Sequence, residues 1–268
     1  MISPYYPIIL YYNINKKTIF YFADHVLLDG FNMSKFFSEI IGEKSLKPYK
    51  KPIYKPFIHE IMQYYFLIKL YKYSNEKCLP RYIDKKNQKS LEINFKINEI
   101  KNIKNKFKVS FISASLSIYC LNIFKSIVKF KKKYLTIMLP FVMYSKKRSN
   151  NMSSIIIKIK KTSNIDKLVI DIEKQINKKK YMLEPFYFLL NNRYFTFSNG
   201  RIPIDLFFSP GYQPNSKNII KEMHFKHYAI SSPINISSVT VSNKIFSTIM
   251  INTPLFDLEK FKILMDEN

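Results

Sequence analysis

A chain of 268 residues, 47% of them hydrophobic, can bury a core as one large domain or two small lobes, which excludes whole-chain disorder. Its formal charge is +25, from 44 Lys and Arg against 19 Asp and Glu. Nearly all of that charge is lysine, with arginine only at Arg81, Arg148, Arg193 and Arg201, so a solvated lysine surface is expected and nucleic-acid binding through arginine forks is disfavoured.

Residues 5–12 form an apolar, aromatic run and read as a buried strand. Asn13, Asn15, Lys16 and Lys17 make a turn, and residues 18–24 are a second β-rich run, so the two predict a hairpin. Residues 31–41 predict a helix stopped by Gly42. Residues 44–56 hold Pro48, Pro52 and Pro56 and read as a loop. Residues 57–73 are again helical by spacing.

Leu91, Ile93, Phe95 and Ile97 alternate with Glu92, Asn94 and Lys96, the pattern of a half-buried strand. Residues 98–106 predict a short helix and residues 110–129 a longer one. Residues 134–143 are strand-like, and Pro140 assigns them to an edge or a bulge. Ile155, Ile157 and Ile159 form a strand, and Asn164 caps a helix running to about residue 178. Residues 194–197 form a short strand leading into Ser198, Asn199 and Gly200. Residues 204–213 read as loop and short strand. Three β segments follow at 223–230, 234–241 and 245–252, and residues 256–265 close as a helix. Interspersed strands and helices with an antiparallel finish predict an α/β two-layer sandwich.

Cys78 and Cys120 make no C-x-x-C pair, so a reducing, cytoplasmic compartment is expected. The start has no basic n-region, and no signal peptide is read. The apolar run 109–124 is too short to span a bilayer, so no transmembrane segment is expected, although contact with a membrane surface is compatible with the composition. Four glycines cannot build a phosphate loop. His59, His224 and His227 read as surface or strand residues and predict no metal site.

The chemistry-bearing segment is Ala23-Asp24-His25-Val26-Leu27-Leu28-Asp29-Gly30. It places an imidazole at a strand end, where it can take a proton from a hydroxyl or amine attacking a thioester carbonyl. Asp29 sits on the same short turn and can hold it through a cation, and Gly30 lets the chain turn sharply into a helix.

This segment resembles the His-x-x-x-Asp-Gly site of the CoA-dependent acyltransferase superfamily. The order of segments is most similar to the wax ester synthase/diacylglycerol acyltransferases, with condensation domains also close. Asp24 stands where that group has a first His, and His25 matches the second. Leu135 to Pro140 is similar to the family's strand ending in Pro. Asn150 or Asn151 falls at its Gly-Asn pair without the Gly, and Phe197-Ser198-Asn199-Gly200 resembles a shortened Ser-Asn-x-Pro-Gly segment. Ser232-Pro233, residues 245–252 and Phe256-Asp257 match its last strands and helix.

The resemblance implies a chloramphenicol acetyltransferase-like fold over residues 1–268, with one lobe reduced because only 24 residues precede His25, and a lobe boundary near 131–150. It implies acyl transfer from acyl-CoA to a hydroxyl acceptor by direct attack. His25 is then the base, Asp29 the support, and Ser198 and Asn199 the groups near the tunnel or the developing oxyanion. Acyl-CoA is a co-substrate, and no permanent cofactor is expected. Arg148, Arg193 and Arg201 are candidates for the cation facing Asp29, and none stands at a matching motif. Two rival expectations remain: an acyltransferase-like domain that binds without catalysis, and a basic nucleic-acid-binding protein. The first strands, apolar on both faces, predict self-association or docking of a second chain beside them.

Overall fold

A computed structural model describes residues 8–23, 79–82, 85–128, 133–142, 152–179, 204–210, 221–224, 232–241 and 243–267. The expected helices at 31–41 and 57–73, the loop at 44–56 and the strand at 194–197 lie outside them.

Strands β1 (Ile8–Asn13) and β2 (Thr18–Ala23) pair antiparallel as the predicted hairpin. Its tip is not buried: Tyr11, Tyr12, Ile19 and Phe20 are exposed. The apolar run implied an interior strand because sequence alone does not distinguish burial in this chain from apolar surface left open.

Strand β3 (Lys89–Lys96) follows, with Ile93 and Phe95 buried and Glu92 and Asn94 exposed, as its alternation requires. Helix α1 (Asn98–Phe107) and helix α2 (Phe111–Ser126) come next. The Ser110 hydroxyl accepts from the Ser113 N–H and caps α2. Helix α2 stops three residues short of the expected 129. Ile127 is extended and bridges to Phe256, and the Val128 N–H donates to Leu255 O at 2.8 Å, so the chain leaves the helix to join the closing segment.

Strands β4 (Tyr134–Val142) and β5 (Met152–Lys160), helix α3 (Ile165–Lys179), strands β6 (Leu206–Pro210), β7 (Ile234–Val241) and β8 (Lys244–Ile251), and helix α4 (Leu258–Asp266) complete the described elements. Asn164 Oδ1 accepts from the Lys167 N–H at 2.9 Å, the cap its sequence predicts. The six-stranded sheet runs β3-β8-β7-β6-β4-β5, with parallel pairs at β4/β6 and β6/β7.

Strand β4 is therefore interior among the described strands, not an edge. It tolerates Pro140 because its pairing with β6 covers only Ile137 and Met138, leaving the missing N–H beyond that ladder. Residues 223–224 belong to no strand, so the described start of the expected segment 223–230 is irregular; the rest lies outside the described residues.

The helices cover one face of this sheet, giving the expected two-layer α/β sandwich. Leu135, Ile137, Leu139, Ile155, Ile157, Ile159, Leu206, Phe208, Ile234, Ile236, Ile249 and Ile251 share a core with Ile100, Ile123, Leu168, Ile172 and Phe261. Tyr119 on α2 reaches through this core to hydrogen-bond Ser247 on β8, with its ring between Phe95 and Phe208. Cys120 beside it is fully buried, and burial pushes its thiol pKa up, which makes it a packing residue rather than a nucleophile. Among the described residues no single helix is long and apolar enough to cross a membrane.

The α2 cap is joined to α3. Glu173 Oε2 accepts from the Ser110 N–H at 3.0 Å and its hydroxyl at 2.8 Å, and Oε1 accepts from Asn177 at 2.8 Å. Partial burial alone pushes the carboxyl up. Hydrogen bonds from the Ser113 and Ser110 hydroxyls, the Ser110 N–H and Asn177 outweigh it, so the folded pKa lies below the ordinary 4.5. The stability this adds is present above pH 4.5 and is lost as pH falls through the lower folded value. Thermal melts of Glu173→Gln are expected to lie below wild type near neutrality and to converge with it in acid. Parallel curves across that window would count against the assignment.

Candidate functional site

His25, Asp29, Gly30, Ser198 and Asn199 lie outside the described residues, as do Arg148, Arg193 and Arg201. What the structure does give is the strand before the first motif and the sheet face away from the helices.

Strand β2 closes at Ala23, two residues ahead of His25 in the chain. Its register against β1 is continuous from Thr18 to Ala23, opposite Asn13 to Ile8.

On the sheet, residues alternate between the helix-covered face and the far face. The far face carries Met138, Ile156, Phe207, Asn235, Ser237, Val239, Phe246 and Thr248, one residue out of step with the core positions. Apolar residues dominate its two ends. Between them lies a polar row across four strands: Ser209 opposite Ser237, Ser237 opposite Thr248, and Thr248 opposite Glu92. Glu92 is exposed, whereas Ser237 and Thr248 are buried. The Thr248 hydroxyl is buried without a hydrogen-bond partner. A buried hydroxyl without a hydrogen-bond partner is costly in a packed interior.

In the next row Asn235 is fully engaged and locks the entry to β7. Its Nδ2 donates to Ser232 O at 2.9 Å, its Oδ1 accepts from the Ser232 hydroxyl at 3.1 Å, and that hydroxyl also meets Ile234 O at 2.7 Å.

Residues 221–224 lie over the same face. Met223 packs on Val239, Val241 and Phe246. The His224 ring meets Phe246 edge-on, with centroids 5.5 Å apart. His224 Nε2 and Glu222 Oε1 are 2.7 Å apart, and Nδ1 is buried without a partner. The spacing that made His224 a plain strand residue missed this pairing, because it comes from an irregular segment laid across two strands. The two-residue offset from Glu222 was the available signal. Among the described residues no group of three or more His, Cys, Asp or Glu could hold a metal ion.

Asp205 fixes where this face begins. It is fully buried at the start of β6, six residues after Asn199. One carboxyl oxygen accepts from the Leu79 N–H at 2.9 Å and the other from the Thr136 N–H at 2.8 Å. Its own N–H donates to Thr136 O, and its carbonyl accepts from the Ile234 N–H. One residue thus joins β4, β6, β7 and the chain at Leu79. Sequence reading passed it over; an acid set between Ile204 and Leu206 was the signal for a buried, satisfied carboxyl.

No protein-family model matches this chain, and no curated protein matches it in sequence. Its fold is similar to solved structures. The EpoB cyclization-docking bidomain from Sorangium cellulosum superposes with a TM-score of 0.61 at 10% identity, over 93% of this chain and 58% of that one. The condensation domain from the Monacolin K polyketide synthase MokA gives 0.60 at 11% identity, over 93% and 67%. The wax ester synthase/diacylglycerol acyltransferase from Marinobacter aquaeolei gives 0.54 at 9% identity, over 93% and 65%. The chain therefore spans between 58 and 67% of the length of these three proteins. At such identities the likeness is one of fold, and the fold is that of the acyltransferase and condensation domains.

Proposed function

We propose that the protein is an acyltransferase that moves an acyl group from acyl-CoA to a hydroxyl acceptor, with His25 as general base. The observation that carries this reading is the acyltransferase and condensation-domain fold, in a chain whose β2 runs into His25-Val26-Leu27-Leu28-Asp29-Gly30. In this reaction the imidazole takes the acceptor's proton as its oxygen attacks the thioester carbon. The carbon–sulfur bond then breaks, and CoA leaves as the thiol once the proton returns to sulfur. Asp29 orients the turn, and Ser198 and Asn199 stand near the acyl tunnel or the oxyanion. The protein is then cytoplasmic or held at a membrane surface, with no resident cofactor. The lysine-rich surface supports attraction of the CoA phosphates.

Fold does not select the chemistry, since similar structures also include an epimerization domain and an X-domain. The deciding experiment is release of CoA thiol from a panel of acyl-CoAs of graded chain length with primary alcohols, followed by a thiol reagent and by mass of the ester. Acceptor-dependent thiol release with matching ester is expected. Binding of acyl-CoA without release for any pair would replace this reading by that of a non-catalytic binding domain.

A further inference from the structure

The β1–β2 hairpin ends in a tip with exposed apolar residues on both faces. Tyr11 lies opposite Phe20 and Tyr12 opposite Ile19, and neighbouring pairs point to opposite faces. Tyr11 and Phe20 are 52% and 51% exposed, Tyr12 and Ile19 are 58% and 37%, and Ile14 at the apex is 75%. Apolar side chains in one sheet layer are normally covered on at least one face.

This tip is built, not frayed. Asn13 Oδ1 accepts from the Lys16 N–H at 3.0 Å, the Lys17 N–H donates to Ile14 O at 3.2 Å, and the Thr18 hydroxyl donates to Lys16 O at 3.0 Å. Lys17 adopts a positive φ of 48°, which closes the turn and sends the chain back. The turn thus presents Ile14 with Lys16 and Lys17 ahead of an aromatic collar. Residues 8–23 contain no acidic residue.

We infer that this hairpin tip inserts into the headgroup and upper acyl region of an anionic phospholipid bilayer. Three features favour that occupant. Lipid covers both faces of an exposed apolar tip at once, whereas one docked protein surface covers one. Tyrosine and phenylalanine behind an apical isoleucine match the graded polarity of a membrane interface. Two lysines at the apex complement anionic headgroups, each worth about fivefold in binding. A second copy of the chain is the poorer occupant, because it brings two bodies of net charge +25 together. The inference is independent of acyl transfer.

The chain contains no tryptophan, so Phe20→Trp supplies a single reporter. The full chain is mixed with phosphatidylcholine vesicles, with and without phosphatidylserine. Emission is expected to shift to the blue and to be quenched by brominated acyl chains with the anionic vesicles. Adding Ile14→Asp should remove the shift. Lys16→Gln with Lys17→Asn, which keeps a residue that tolerates positive φ, should weaken binding by roughly 25-fold on the anionic vesicles. Sedimentation with vesicles without any shift in emission would overturn the proposal in favour of diffuse lysine attraction. A blue-shifted reporter and a dimer by light scattering before lipid is added would overturn it in favour of a second copy.

Discussion

Replacing His25 by alanine is expected to lower acyl transfer by about 10²–10⁴-fold while the melting temperature stays with the wild type. The size follows from the job assigned to the imidazole. It lowers the barrier for the attacking hydroxyl by taking its proton, and without it the acceptor must lose that proton to water. Positioning of acyl-CoA and acceptor survives, so the Michaelis constants are expected to move little and the loss to fall on kcat. Asp29→Asn should fall between the two, because it leaves the base in place and loosens only its setting. The measurement is kcat for CoA release, paired with a thermal melt of each variant. Wild-type turnover in a folded His25→Ala protein removes the base from His25.

Local patterns in this sequence were legible, and long-range consequences were not. Strand β3 declared itself because Ile93 and Phe95 alternate with Glu92 and Asn94, and one buried face next to one exposed face leaves that signature. Helix α3 declared itself through the Asn164 cap and the inward spacing of Leu168, Ile172 and Ile176. Strands buried on both faces carry no alternation, so the place of β4 inside the sheet, Pro140 included, could not be read. The end of α2 was set by Leu255 and Phe256, more than a hundred residues away.

The same division holds for the site. A motif such as His25, Asp29 and Gly30 is legible because its members are neighbours in the chain. The Ser209–Ser237–Thr248 row is not, because it exists only once β6, β7 and β8 are in register. In β7 the signal was present but unspecific: Ser237 and Ser238 interrupt the strand on opposite faces, and only the register shows that Ser237 meets Ser209 and Thr248.

Asp205→Ala is expected to be the most destabilising single substitution among the described polar residues. Its two carboxyl oxygens take the N–H groups of Leu79 and Thr136 in a fully buried position. Truncation leaves both donors in the interior, where water does not replace the lost acceptor. Each orphaned group costs about 1–3 kcal/mol, which gives roughly 2–6 kcal/mol for the pair. For a chain of this size that lowers the melting temperature by on the order of 10 °C. Asp205→Asn keeps one acceptor oxygen but turns a donor toward a donor on the other side, so it should cost less than alanine yet more than a surface change. The damage is expected to spread along the chain, because the 126-residue span from Leu79 to Asp205 is clasped at this point. Hydrogen exchange should therefore quicken first at the Leu79 and Thr136 amides and then along β4 and β6, while α3 keeps its protection. An alanine variant that melts with the wild type, its Thr136 amide still protected, would show that the clasp is held by the backbone bonds between Asp205, Thr136 and Ile234 alone.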